Sequence, residues 1–201
     1  MAHKIAKIVS VILHPLLIPT LGFLLLLNSG FYFSILNWEA KRIILLVVIF
    51  STAIMPVLAM SVVSLNRRLR FSFETGSQRV LPLLFSSVFY YMGYMLLHRL
   101  NAFPVLKILM VASVLVILGL LLVSLRWEIS SHMAALGGLT GVLLALSFRT
   151  GVYPAMSLII VILASGIAGT AQLILEKNKL WHLEAGYALG FSIIFLVVYF
   201  I

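Results

Sequence analysis

Cysteine and aspartate are both missing from this chain of 201 residues, and charge of either sign is scarce. Without cysteine there are no disulfides, no thiolate chemistry and no Cys-ligated metal site. All five acidic residues are glutamates: Glu39, Glu74, Glu128, Glu176 and Glu184. Charged residues make up 9% of the chain against 63% hydrophobic, at a mean hydropathy of +1.21. Fourteen basic and five acidic side chains cannot cover the exterior of a water-soluble domain of this size, so the apolar surface must face lipid. In lipid every backbone N–H and C=O needs an internal partner, which leaves helices or a closed barrel. Barrel strands alternate apolar and polar residues, whereas the runs Ile43 to Val63 and Ile108 to Leu125 are continuous.

The chain therefore reads as all-α, a polytopic transmembrane bundle forming one domain over residues 1–201. Seven apolar segments approach the ~20 residues that span a hydrocarbon core: Ile8–Leu27, Ile43–Leu65, Val80–Leu97, Val105–Leu125, Met133–Phe148, Ala155–Leu175 and Ala185–Ile201. The first follows a basic start, but its apolar run is too long for a signal-peptide core and no A-x-A-like site follows, so it is expected to remain as a span. The fifth is short. No internal repeat or low-complexity linker interrupts the pattern.

The net charge of +9 is spread through short loops, which suits anionic headgroups and not nucleic acid. Counted by alternate loops, Lys4, Lys7, Arg67, Arg68, Arg70, Arg79, Arg126, Lys177 and Lys179 fall on the N-terminal side. Lys41, Arg42, Arg99, Lys107 and Arg149 fall on the other. The bias predicts that the N-terminus lies in the cytoplasm, with the chain in a cytoplasmic (inner) membrane. Lys107 and Arg149 are expected to snorkel; His14 and His98 are read as structural. Small residues at helix-contact spacing, namely Gly137, Gly141 and Ala145, Ser165 and Gly169, and Gly186 and Gly190, predict close helix packing.

Three polar clusters stand out: residues 66–82, 126–141 and 171–190. Even numbers of spans separate them, so they are expected on one membrane face. In the middle cluster Ser130 or Ser131 can cap the helix that begins near His132, whose N-terminal N–H groups and dipole attract an anion. His132 can give a proton to a leaving oxygen; Glu128 either holds that imidazole or pairs with Arg126.

These residues resemble the type 2 phosphatidic acid phosphatase superfamily. Ile129, Ser130, Ser131 and His132 stand where its second motif has Pro-Ser-Gly-His. Gln172, Asn178 and His182 keep the spacing of the third motif, Ser-Arg, five residues, His, three residues, Asp, and AGYALG resembles the helix that follows it. Arg79 matches the arginine of the first motif, with Val80 in place of its proline, and Ser72 stands where that motif has lysine. The likeness runs from about residue 66 to 190. It implies a phosphatase-like helical core and a metal-free hydrolysis of lipid phosphates, with no cofactor. In that chemistry the third-motif histidine attacks phosphorus, the second-motif histidine protonates the leaving alkoxide, and Lys and Arg hold the phosphoryl oxygens.

Only Arg79, Ser130 and His132 of the family's polar set are retained. An amide at Asn178 cannot replace the attacking imidazole, and Gln172 removes a cation. His182, one turn beyond Asn178, either serves as a displaced nucleophile or belongs to an aromatic-basic interfacial belt with Trp181 and Lys179. Arg67, Arg68 and Arg70 either replace the missing cations around a lipid phosphate or anchor their loop to headgroups. Two functions follow: a lipid phosphatase working through a modified site, or an inactive relative that binds lipid headgroups or a partner membrane protein. A transporter is disfavoured, because there is neither a repeat nor a mid-span acidic residue. The expected partners are membrane lipids, phosphorylated ones included, and a homo-oligomer stays open.

Overall fold

A computed structural model describes residues 2–64, 80–175 and 179–201. Among them there is no strand. The helices are α1 (Ala2–Ile12), α2 (Ile18–Asn28), α3 (Trp38–Ile49), α4 (Met55–Ser64), α5 (Val80–Arg99), α6 (Pro104–Ser124), α7 (Ser131–Thr150), α8 (Ala155–Ile174) and α9 (Leu180–Phe200). A π-helical turn, Phe50–Ile54, joins α3 to α4 without a break, so that Trp38–Val62 acts as one apolar rod. With it, α5, α6, α7, α8 and α9 make six helices, among the described residues, long and apolar enough to cross a membrane.

The single continuous helix expected for the first span is corrected. Residues 8–27 are not one helix: α1 ends at Ile12, the chain turns through His14 and Pro15, and α2 restarts at Ile18 with Pro19 in its first turn. Proline has no N–H to donate and disfavours helical backbone in the residue before it, which explains a break at His14–Pro15. The isolated α2 is apolar but only eleven residues long. It runs through the bundle along α7, with Gly22 against Leu139. The hydroxyls of Ser29 just past α2 and Ser157 in the first turn of α8 then lie 3.0 Å apart at the other end.

Helix α1 has a buried side and an exposed one. Ala6 and Ser10 are buried, Ile5, Ile8, Val11 and Ile12 are exposed, and Lys4 and Lys7 are exposed around Val11 at the edge of that apolar face. An exposed apolar face flanked by lysines is the pattern of a helix lying in the membrane interface. The fifth segment, expected to be short, reaches full length as α7: Ser130 caps one end, and Gly151 at φ +69° closes the other in the left-handed conformation that glycine adopts without strain.

Buried on nearly every side, α7 is the axis of the fold. It meets α9 backbone to backbone. A β-carbon on Gly190 would lie 1.8 Å from the Ala134 carbonyl oxygen, one on Gly137 2.1 Å from that of Tyr187, and one on Gly186 2.5 Å from that of Ser130. The Tyr187 hydroxyl adds a hydrogen bond to Thr140 Oγ1 at 2.8 Å. Gly137, Gly141, Gly186 and Gly190 thus form the predicted close seam. Gly169 is not part of it: a β-carbon there would meet only the flexible Met133 side chain, at 3.8 Å. Arg149 does more than snorkel, since its guanidinium donates to the Val198 carbonyl at 2.7 Å and satisfies an acceptor near the end of α9.

Candidate functional site

The polar end of α7 is built by its capping and by its seam with α9. Ser130 is extended, and its Oγ accepts from the Met133 N–H at 3.4 Å. Its own N–H donates to the His182 carbonyl at 3.0 Å. Gly186 lets this serine's backbone pack against α9. The first turns of α7 and α9 are therefore locked together, with Ser130, Ser131, His132 and His182 all buried.

His182 is engaged in capping. Its Nδ1 accepts from the Lys179 N–H at 3.3 Å, and the Trp181 ring stands edge-on to it at 4.1 Å. Accepting at Nδ1 puts the proton of the neutral ring on Nε2. In this arrangement the side chain stabilises the start of α9 and offers no basic nitrogen at Nε2.

His132 reaches in the other direction. Its Nε2 lies 3.2 Å from the Ser10 carbonyl, so the N–H donates there. The hydroxyl of the same Ser10 accepts from Gln172 Nε2 at 3.1 Å. Gln172 is only 1% exposed. His14 completes the group: its ring stands edge-on to that of His132 at 5.8 Å, and its Nδ1 accepts from the Leu16 N–H. One short helix, α1, thus ties together His132 on α7 and Gln172 on α8.

Of the residues singled out by sequence, Ser130, Ser131, His132, Gln172 and His182 are brought to one end of the bundle. Arg70, Ser72, Arg79 and Asn178 lie outside the described residues. Glu128 is exposed and makes no ion pair or hydrogen bond among the described residues, so it neither orients His132 nor pairs with Arg126. Ser10 and His14 were not among the expected site residues, His14 having been read as structural. The signal that could have found them is two polar residues one helical turn apart inside an apolar run, followed by Pro15. Among the described residues no three His, Cys, Asp or Glu side chains gather as a metal site.

Beside this cluster a cavity of about 90 Å³ runs between α2, α5, α6, α7 and α9. It starts at Pro15 and Ser131 and follows α7 to Val142, about 16 Å along the helix. Its lining is apolar except for Ser131, Ser86, Ser113 and Tyr90. The Ser86 and Ser113 hydroxyls donate to carbonyls of their own helices, each at 2.8 Å. Tyr90 is 3% exposed, and its hydroxyl has no hydrogen-bond partner among the described residues.

Comparison of the chain with protein-family models, with characterised proteins and with solved structures finds no match.

Proposed function

We propose that this is a membrane protein with a core of the type 2 phosphatidic acid phosphatase kind, which binds a lipid phosphate headgroup at the start of α7 and does not turn it over. One observation carries the reading. A buried polar cluster from three helices, Ser10, His132 and Gln172, lies at the N-terminal end of α7, where the adjacent Ser131 lines an apolar cavity. The helix N-terminus and His132 favour an anion there, and the cavity leads from it into the bundle. Three features argue against turnover. Gln172 supplies no cation, Asn178 supplies no nucleophile, and the Nδ1 lone pair of His182 is occupied by the turn that starts α9.

Purified protein supplied with several lipid phosphates is expected to release no inorganic phosphate above background. It is expected to gain thermal stability from phosphatidate, by linkage of binding to folding, and His132→Ala should weaken that gain. Robust release that depends on His182 would overturn the reading and establish a displaced-histidine phosphatase. Rebuilding the third motif with Gln172→Arg, Asn178→His and His182→Asp should create turnover that His132→Ala abolishes, because residues acting as a unit are strongly non-additive.

A further inference from the structure

Helix α1 ends where the polar cluster begins, and its end carries charge that the rest of it lacks. The last four carbonyls of an α-helix find no N–H within the helix, and together they form the negative end of its dipole. In α1 the Val9 carbonyl still accepts from the Leu13 N–H. The break at His14–Pro15 stops the next bond, so no backbone N–H among the described residues reaches the Ser10 carbonyl. That carbonyl accepts instead from His132 Nε2 at 3.2 Å, while the hydroxyl of the same serine accepts from Gln172 Nε2 at 3.1 Å.

Two oxygens of one residue thus hold donors from two other helices, and they do so at the N-terminal end of α7. That end is the positive pole of its helix and attracts an anion; the negative pole of α1 stands in for one. A phosphoryl group arriving there would present its oxygens to the same donors. Imidazole Nε2 carries a single hydrogen, so His132 cannot serve Ser10 and a phosphoryl oxygen together. The α1 contact and the ligand are alternatives.

Little holds α1 in this place. It packs on α8, yet only Ala6 and Ser10 are buried along its length. Its exposed isoleucines and Val11 suit the membrane interface whether or not Ser10 is engaged. The turn through His14 and Pro15 leaves α1 joined to the bundle through α2 alone, with no continuous helix to keep it aligned.

We infer that α1 is an autoinhibitory plug: Ser10 occupies the donors of His132 and Gln172 that a phosphate headgroup would take, and the headgroup binds only once α1 has lifted from α8. The inference rests on the headgroup reading above and adds its regulation. Affinity is then the intrinsic affinity scaled by the fraction of molecules in which α1 is lifted.

Equilibrium binding of inorganic phosphate and of phosphatidate to the full-length protein in detergent tests this, with two variants of α1. Ser10→Ala deletes the hydroxyl that Gln172 grips, leaves both donors in place, and puts a good helix former in α1. Removing one neutral hydrogen bond from the closed state should tighten binding about five-fold. A serine that itself contacted the ligand would give the opposite sign. Ala6→Phe, too large for its buried position, should tighten binding by another route. A single thiol introduced by Ala6→Cys reports on α1 directly: saturating phosphatidate should speed its alkylation several-fold, because the ligand collects the lifted state. Variants that bind no tighter than the native protein, or alkylation that phosphatidate leaves unchanged or slows, would overturn the plug while the headgroup reading stands. If neither anion binds the native protein or either variant, the headgroup reading falls and the plug with it. A gain for phosphatidate alone supports a plug over a lipid site, and an equal gain for inorganic phosphate supports a plug over a site for the phosphoryl group itself.

Discussion

At the level of single residues, glycine does the structural work that charge does in a soluble protein. Gly190 and Gly137 sit where a β-carbon would meet backbone oxygen at 1.8 and 2.1 Å, and backbone cannot swing aside as a side chain can. Gly190→Ala or Gly137→Ala should destabilise the protein by about 1–3 kcal/mol, the ordinary range for overpacking, seen as a lower melting temperature in detergent. Gly166→Ala is the matched control. Nothing lies within 4 Å of its would-be β-carbon, and alanine is the better helix former, so it should be neutral or stabilising. A Gly190→Ala protein that melts like the native one would show that α7 and α9 are free to separate. The spacing of these glycines was readable in the sequence because helix contact repeats every fourth residue. Gly169 stands at the same spacing from Ser165 and has no backbone within 4 Å of its would-be β-carbon, since spacing shows which residues share a face but not which neighbour that face meets.

Among the elements, the least expected is α1. An apolar run of the right length read as a span, and the break came from Pro15, whose effect is local and whose consequence is not. It frees α1 to pack on α8 and to bring Ser10 to His132 and Gln172. Sequence reasoning singled out Ser130, His132 and His182, on α7 and α9, from local signals such as caps and spacings. It missed Ser10 and His14 because their partners are more than a hundred residues away. A spin label on Ile8→Cys, unique in this cysteine-free chain, should report a depth within about 10 Å of the headgroup boundary. A label near the bilayer centre would show instead that α1 crosses with the rest.

On the scale of the whole molecule, the charge bias assigns an orientation. Leu100 lies in the turn between α5 and α6, and Glu128 lies between α6 and α7. Since α6 separates them, they belong to opposite faces. With Lys4, Lys7, Arg126 and Lys179 on the side of Glu128, that side is expected in the cytoplasm. An impermeant thiol reagent applied from outside should label Leu100→Cys and spare Glu128→Cys; the reverse pattern would invert the assignment and turn the polar cluster outward.

The burial of α7 also bears on how the chain is made. Its mean hydropathy is the lowest among the six long helices, yet it is the one most enclosed by the others. Its glycine face has no complement until α9 has been synthesised. The packing that drives helix association in lipid is therefore complete for α7 only once α9 is in place. A nascent chain stopped after α8 would hold α7 with its glycine seam unfilled. Folding of the polar end, where Ser130 and His182 meet, is thus tied to completion of the last helix.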